Sequence, residues 1–169
     1  VTSLDIAARQ VILADGSRLA YEALLIATGA TPVHLDIPGS TLAHVHCLRT
    51  VADSRNLVAA ASTAKRAVII GASFIGLEVA SSLRARDIDV HVVGRKPALM
   101  EAVLGPEVGA FLQALHERHG VTFHLGTTAT KIDRQQVTLA TGEIIDADLV
   151  VIGIGVRAET TLAEKAGLT

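Results

Sequence analysis

Apolar positions fall along this chain in two periods. Short unbroken runs lie in "ALLIATG" (23–29), "KRAVIIGAS" (65–73), "DVHVVGR" (89–95), "VTFHLGT" (121–127) and "LVVIGIG" (149–155). Their length and β-branched content predict strands, the more continuous ones covered on both faces. Between them the period lengthens. In "FIGLEVASSLRARDI" (74–88) Ile75, Val79 and Leu83 recur at helical spacing, which predicts a helix packed on a sheet. "LGPEVGAFLQALHERHG" (104–120) predicts a second, with Pro106 and Glu107 in its first turn and Gly120 as its stop. Its apolar face is expected to be Val108, Phe111, Leu112 and Leu115. "RTVADSRNLVAAAS" (49–62) predicts another helix, opening near Thr50 or Asp53. "GATPVHLDIPGS" (29–40), with Pro32 and Pro38, reads as a linker or crossover.

One pattern occurs twice. Gln10 and Gln136 are 136 − 10 = 126 residues apart, and at that offset Val11 matches Val137, Leu13 matches Leu139 and Ala14 matches Ala140. Gly16, Ile26 and Gly29 likewise match Gly142, Ile152 and Gly155 without a gap. Each copy reads as a hairpin, turning at Asp15-Gly16 or Thr141-Gly142, that runs on into a short apolar strand ending in glycine. This is one unit used twice; a solenoid period is far shorter.

Composition narrows the class. Half of the 169 residues are hydrophobic but only 2% are aromatic, so the core is built of Val, Ile, Leu and Ala, as in parallel α/β sheets. A net charge of −2 argues against nucleic acid or an anionic membrane surface as the main partner. No apolar run reaches the roughly 18–20 residues of a membrane span, and a cytoplasmic location is expected. The single cysteine, Cys47, can form neither an internal disulfide nor a CxxC redox pair. The chain opens on Val1 and its one methionine is Met100, so an internal piece of a longer protein, or a processed one, is expected.

The chemistry sits in "VIIGASFIGLEVASSL" (68–83). A strand turns at Gly71 and opens a helix, with the spacing Gly71-x-Ser73-x-x-Gly76 of a dinucleotide fingerprint. The first glycine makes the tight turn, the second lets the backbone approach a pyrophosphate, and the third packs helix on strand. Serine at the middle position hinders close approach without forbidding it. The spacing is not the G-x-S-x-G elbow of a hydrolase nucleophile. The fold class expected is therefore α/β: a Rossmann-like parallel sheet with helices on both faces and a small antiparallel β-meander.

Together "RAVIIGASFIGLEVASSL", "LIATGATP", "LRT" and "LVVIGIGVRAETTLAEKAGL" resemble the two-dinucleotide flavoprotein reductases of the pyridine nucleotide–disulfide oxidoreductase superfamily. The branch is that of ferredoxin and rubredoxin reductases and apoptosis-inducing-factor-like proteins. The resemblance covers essentially the whole chain. It implies an FAD domain and an NAD(P)H domain that resemble each other, the second inserted into the first, which accounts for the repeat. Residues 1–32 are then expected to be a remnant of the FAD domain, 33–156 the NAD(P)H domain, and 157–169 the start of the return. The FAD half is expected to lie upstream, so this chain is not expected to hold FAD or turn over alone. "ALLIATG", without its home sheet, is expected to pair with this domain's own elements or with another chain, making residues 1–32 a possible route to a homo-oligomer.

By the same resemblance Gly71, Ala72, Ser73, Phe74, Ile75 and Gly76 line the cofactor pyrophosphate. The resemblance further implies that Phe74 covers the nicotinamide pocket and that Glu78 sits near the nicotinamide carboxamide. Gly153, Ile154 and Gly155 approach the cofactor from the last strand, and Thr28 and Gly29 face FAD. Hydride transfer from nicotinamide to flavin needs alignment rather than a protein acid or base, so no catalytic residue is named. An iron–sulfur protein of ferredoxin, rubredoxin or Rieske type is the implied acceptor. An acidic residue at the end of the second strand would mark NAD. Here Gly94 is followed by Arg95 and Lys96, which suit a 2′-phosphate unless Asp89 and Glu101 neutralise them, and NADH and NADPH both stay open.

Other signals are weaker. His44-x-His46-Cys47 comes without a fourth ligand in sequence and His116-x-x-His119 without a third or fourth, so no metal site is expected. The only tyrosine, Tyr21, is followed four residues on by Leu25, so there is no Tyr-x-x-x-Lys relay of a single-domain dehydrogenase. A non-catalytic nucleotide-binding or redox-sensing module is the alternative reading.

Overall fold

The structure, a computed structural model, describes residues 1–168. The first strands are β1 (Ser3–Asp5), β2 (Gln10–Ile12), β3 (Arg18–Ala20) and β4 (Ala30–Pro32). Then come β5 (Val45–Cys47), α1 (Val51–Ala61), β6 (Arg66–Ile70), α2 (Phe74–Arg84) and β7 (Asp89–Gly94). The short α3 (Glu101–Leu104), α4 (Pro106–Arg118) and β8 (Val121–Leu125) follow. Last are β9 (Ala129–Ile132), β10 (Gln136–Leu139), β11 (Ile144–Asp146), β12 (Leu149–Ile152), β13 (Val156–Ala158) and α5 (Thr161–Lys165). They fall into two compact units, residues 32–155 and residues 1–31 with the segment from 156 onward.

The larger unit is built on a five-stranded sheet in the order β5-β12-β6-β7-β8, parallel throughout. Its strands alternate between two cores. Ala67, Ile69, Val90, Val92 and Val151 face Leu57 and Ala61 of α1 and Val79, Ala80 and Leu83 of α2. Val68, Ile70, Val93, Val150 and Ile152 face the antiparallel meander β11-β10-β9 through Ile132, Val137, Leu139 and Ile145. The sheet and meander are as expected. The face on which the sequence also expects helices is covered by the meander, reinforced by Leu35, Ile37 and Leu42 of the proline-rich crossover. Every apolar side chain of β6 and β12 is thereby shut from water, at roughly 25 cal/mol for each Å² of apolar surface removed.

Local chemistry sets the helix limits. Thr50 caps α1 and forms a reciprocal capping box with Asp53. The bonds from Thr50 hold the Asp53 carboxyl below its usual range. In α4 the expected apolar face is rotated. Val108 and Phe111 are exposed, and Gly109 is the buried residue. A Cβ at Gly109 would stand 2.0 Å from the Leu99 carbonyl oxygen, so the helix closes on the 99–101 loop through its own backbone.

Two polar ties join the larger unit's strands to the meander. His91 Nδ1 lies 3.0 Å from His124 Nε2, and His124 Nδ1 lies 3.2 Å from Glu143 at the hairpin tip. Facing ring nitrogens this close need one N–H and one lone pair between them. At the opposite end of the sheet Asp148 accepts from the backbone N–H of Lys65 and Arg66, and Arg66 also pairs with Asp146. Burial raises the Asp148 carboxyl, but the bonds from Lys65 and Arg66 outweigh it and the net shift is downward. A carboxyl lowered by folding stabilises the chain above its unfolded value of about 3.9 and loses that contribution as pH falls through the folded value. Asp148→Asn is therefore expected to lower the thermal midpoint at pH 7 and to converge with the parent in strong acid, as read by melting curves across pH.

In the smaller unit, β1-β2-β3 forms an antiparallel sheet and β13 pairs with β4. The repeat is visible in single hydrogen bonds. Leu13 N–H donates to the Ser17 carbonyl and Leu139 N–H to that of Glu143; Gly16 N–H donates to Leu13 and Gly142 N–H to Leu139. The copies then diverge. Residues 149–152 enter the parallel sheet, whereas the strand expected at 23–29 does not form. Its Leu25 is 87% exposed. A strand needs a neighbour's ladder, and among the described residues the run meets one only at its end, where Glu159 N–H donates to the Gly29 carbonyl before Ala30–Pro32 pairs with β13.

Candidate functional site

The expected residues meet at the carboxyl edge of the parallel sheet, where open α/β sheets bind ligands. β6 ends at Ile70 and turns at Gly71, whose φ is +120°. A Cβ there would lie 2.3 Å from the Gly153 carbonyl oxygen, and one at Gly76 only 2.1 Å from the carbonyl oxygen of Gly71. Turn, helix and the end of β12 thus touch through bare backbone, which is what the first and third glycines of the fingerprint supply.

Ser73 takes a different role from the one its position suggests. It is the N-cap of α2, accepting from Gly76 N–H at 3.2 Å while its own hydroxyl donates to the Gly153 carbonyl at 2.7 Å. The side chain is thus turned toward the end of β12 and fastened there. Capping uses the Gly76 N–H and leaves those of Phe74 and Ile75, through which a helix start holds an anion.

Around this turn opens a cleft of about 890 Å³ lying wholly within the larger unit. Gly71, Ala72, Ser73, Phe74, Gly94, Arg95, Lys96, Gly153 and Ile154 all line it. Phe74 is 54% exposed and Ile154 37%, both apolar, and Ile154 follows β12 on one side of the Gly71 turn. Arg95 and Lys96 stand exposed after β7, on the other side of the turn, and among the described residues neither forms an ion pair. Asp89, at the far end of β7, lies 3.5 Å from His91 instead, and Glu101 shares the cleft wall without pairing with either cation. Gly94 is packed against Leu125 and Ala72, where a Cβ would come within 2.8 and 2.9 Å.

Other expected residues stand outside this wall. Ile75 and Gly76 lie beneath it in α2, and Glu78 is exposed on the helix. Gly155 follows β12 with φ +119°. Thr28 and Gly29 belong to the smaller unit, where the Thr28 hydroxyl and Gly29 carbonyl both bond the backbone of Glu159. The cleft also takes residues that no motif marked: Val33 and Leu35 from the crossover, Met100 in the left-handed region at φ +52°, and Thr127 and Thr128 after β8. Tertiary proximity alone brings them in; a lone threonine after a strand carries no sequence signal.

The donors present fit a dinucleotide. Gly71 and Gly94 keep the floor open, α2 starts beside it with the N–H groups of Phe74 and Ile75 not used by the Ser73 cap, and the lining offers both apolar and cationic side chains, as a dinucleotide would need. Among the described residues no group of three or more His, Cys, Asp or Glu is arranged to hold a metal ion, and no helix is long and apolar enough to cross a membrane.

Comparison with known proteins adds the relationship. The chain is 36% identical to rhodocoxin reductase of Rhodococcus erythropolis over 99% of its own length and 40% of that protein's. With the ferredoxin–NAD(+) reductase component of the biphenyl dioxygenase system of Paraburkholderia xenovorans it shares 37% over 99% and 42%. Among solved structures it resembles a ferredoxin reductase from Rhodopseudomonas palustris with a TM-score of 0.91 at 37% identity, covering 99% of this chain and 43% of that one. It matches the covalent putidaredoxin reductase–putidaredoxin complex with a TM-score of 0.89 at 31% identity, covering 99% and 43%. The chain thus spans about two fifths of the length of these curated relatives. The family model described as pyridine nucleotide-disulphide oxidoreductase matches residues 1–169, and with the Gly71 turn and the cleft it opens, the chain belongs to that family.

Proposed function

We propose that this chain is the NAD(P)H-binding part of an FAD-dependent reductase that passes electrons to a redox protein. The observation that carries this reading is the Gly71–Gly153 contact, which leaves a helix start, apolar side chains and cationic side chains around one cleft. In the assembled protein, bound NAD(P)H would supply hydride-donor chemistry and bound FAD the acceptor. The residues of this chain bind and orient. The backbone at Gly71–Phe74 holds the pyrophosphate, Phe74 and Ile154 bracket the nicotinamide end, and Glu78 is available to its carboxamide from α2. Gly155 approaches from the end of β12, while Thr28 and Gly29 serve the flavin side.

Several relatives are named for ferredoxin or rubredoxin, among them a rubredoxin–NAD(+) reductase of Pseudomonas putida, which supports an iron–sulfur acceptor of ferredoxin, rubredoxin or Rieske type. Their names cite NAD(+), whereas Arg95 and Lys96, unpaired among the described residues, suit a 2′-phosphate, so both nucleotides are accepted in this reading.

Titration of the chain with NADH and NADPH, followed by the nicotinamide's own fluorescence, tests this. Saturable binding of either is expected. Failure of both would remove the claim of a nucleotide site. Binding that persists without turnover once FAD and the remaining domains are present would favour a redox-sensing module instead.

A further inference from the structure

Among the described residues three buried side-chain atoms have no hydrogen-bond partner: His44 Nε2, His46 Nε2 and Thr127 Oγ1. Of these residues only Thr127 lines the cleft. Thr127 is 9% exposed, and among the described residues it is the only buried polar side chain. Its hydroxyl carries a donor and two acceptor sites, and leaving them unmet in the interior is unfavourable.

The position is held by backbone. Thr127 N–H donates to the Gly94 carbonyl at 3.2 Å, and Gly126 N–H donates to that of Lys96 at 3.1 Å. These bonds clamp the end of β8 to the loop carrying Arg95 and Lys96. Thr127 therefore stands on the β7–β8 side of the Gly71 turn, while Gly153 and Ile154 follow β12 on the other side. A dinucleotide whose pyrophosphate rests at Gly71 directs its adenosine half toward the end of β7. Rotation about χ1 exchanges a threonine's methyl and hydroxyl, so one side chain can present either group to the cleft.

We propose that Thr127 is a hydrogen-bonding residue for the adenosine half of the nucleotide, its hydroxyl finding in the ligand the partner the protein does not provide. This rests on the nucleotide reading of the cleft.

The test compares Thr127→Val, which keeps the shape and removes the hydroxyl, with Thr127→Ser, which keeps the hydroxyl. The probes are NADH, ADP-ribose, AMP and reduced nicotinamide mononucleotide. Thr127→Val is expected to weaken the three adenosine-containing probes about 3- to 10-fold, the range of one neutral hydrogen bond. Thr127→Ser should stay within about twofold, and the mononucleotide should be unaffected by either change. The thermal midpoint of Thr127→Val should match or exceed that of the parent, since an unpaired buried hydroxyl has gone. Unchanged affinity in Thr127→Val, or equal loss for every probe in both variants, overturns the assignment. If the parent chain binds none of the probes, the nucleotide reading itself fails and this one with it; if the parent binds and Thr127→Val binds equally, only this assignment fails.

Discussion

Gly76→Ala is expected to cost the chain both its stability and its nucleotide affinity. The added Cβ would stand 2.1 Å from the Gly71 carbonyl oxygen, a backbone atom at the tightest turn of the fold. Nothing flexible can yield, because Gly71 is itself pressed against Gly153, and Gly76 is buried under the Ile69 side chain. Moving α2 outward is the available relief. That breaks the 3.2 Å cap from Ser73 and disturbs the packing of Val79, Ala80 and Leu83 on the sheet. Overpacking of this kind costs about 3 kcal/mol or more. In a chain of this size that corresponds to a thermal midpoint lowered by roughly 6–12 °C. NADH binding should fall at least about tenfold even where the variant remains folded, because the helix start no longer faces the pyrophosphate position. Calorimetry with fluorescence titration reads both quantities. A Gly76→Ala chain with parental melting and parental affinity would show that the helix does not sit this close to the turn.

Arg95→Ala carries the second large effect, this time on selectivity. Arg95 lines the cleft immediately after β7, is exposed, and among the described residues has no carboxylate within ion-pair distance. A guanidinium so placed can bond a phosphate bidentately, and hydrogen bonds to charged groups contribute about 1.5–3 kcal/mol. Solvent screens an exposed pair, so the lower end applies: NADPH affinity is expected to fall about tenfold, while NADH changes less than about twofold. Arg95→Lys should lie between, since an ammonium keeps the charge and loses the fork. Raising the salt concentration should weaken NADPH more than NADH in the parent and erase the difference in Arg95→Ala. Equal effects on the two nucleotides would show that Arg95 does not meet the 2′-phosphate, and Lys96 would then be the residue to change.

Both predictions concern positions legible before the fold was known, and the reason is the same in each case. A glycine needed for contact, or a cation where NAD proteins carry an acid, is a local chemical fact that a short pattern records. The consequences of packing are less local. Val108 and Phe111 have the helical spacing of a core face, but α4 turns Gly109 inward because its backbone closes on Leu99. Hydrophobic spacing marks a helix without marking which stripe is buried. Ser73 likewise reads as an imperfect glycine, and only the nearness of Gly153 shows that its hydroxyl fastens α2 to β12.

The repeat draws the division most clearly. Sequence alone determined the hairpins, down to equivalent hydrogen bonds at Leu13 and Leu139, because turn geometry depends on a few adjacent residues and on a glycine at positive φ. It also determined the strand–turn–helix at Gly71, for the same reason of short range. Tertiary structure decided the rest. Residues 149–152 became a central strand because β5 and β6 supply ladders on both sides, while the matching apolar run at 23–29, flanked by no such pair of strands among the described residues, did not become a strand. Tertiary structure also put Thr127 and Met100 into the cleft wall. A strand's hydrogen bonds and a cleft's lining are made by residues far apart in sequence, so no local pattern can contain them.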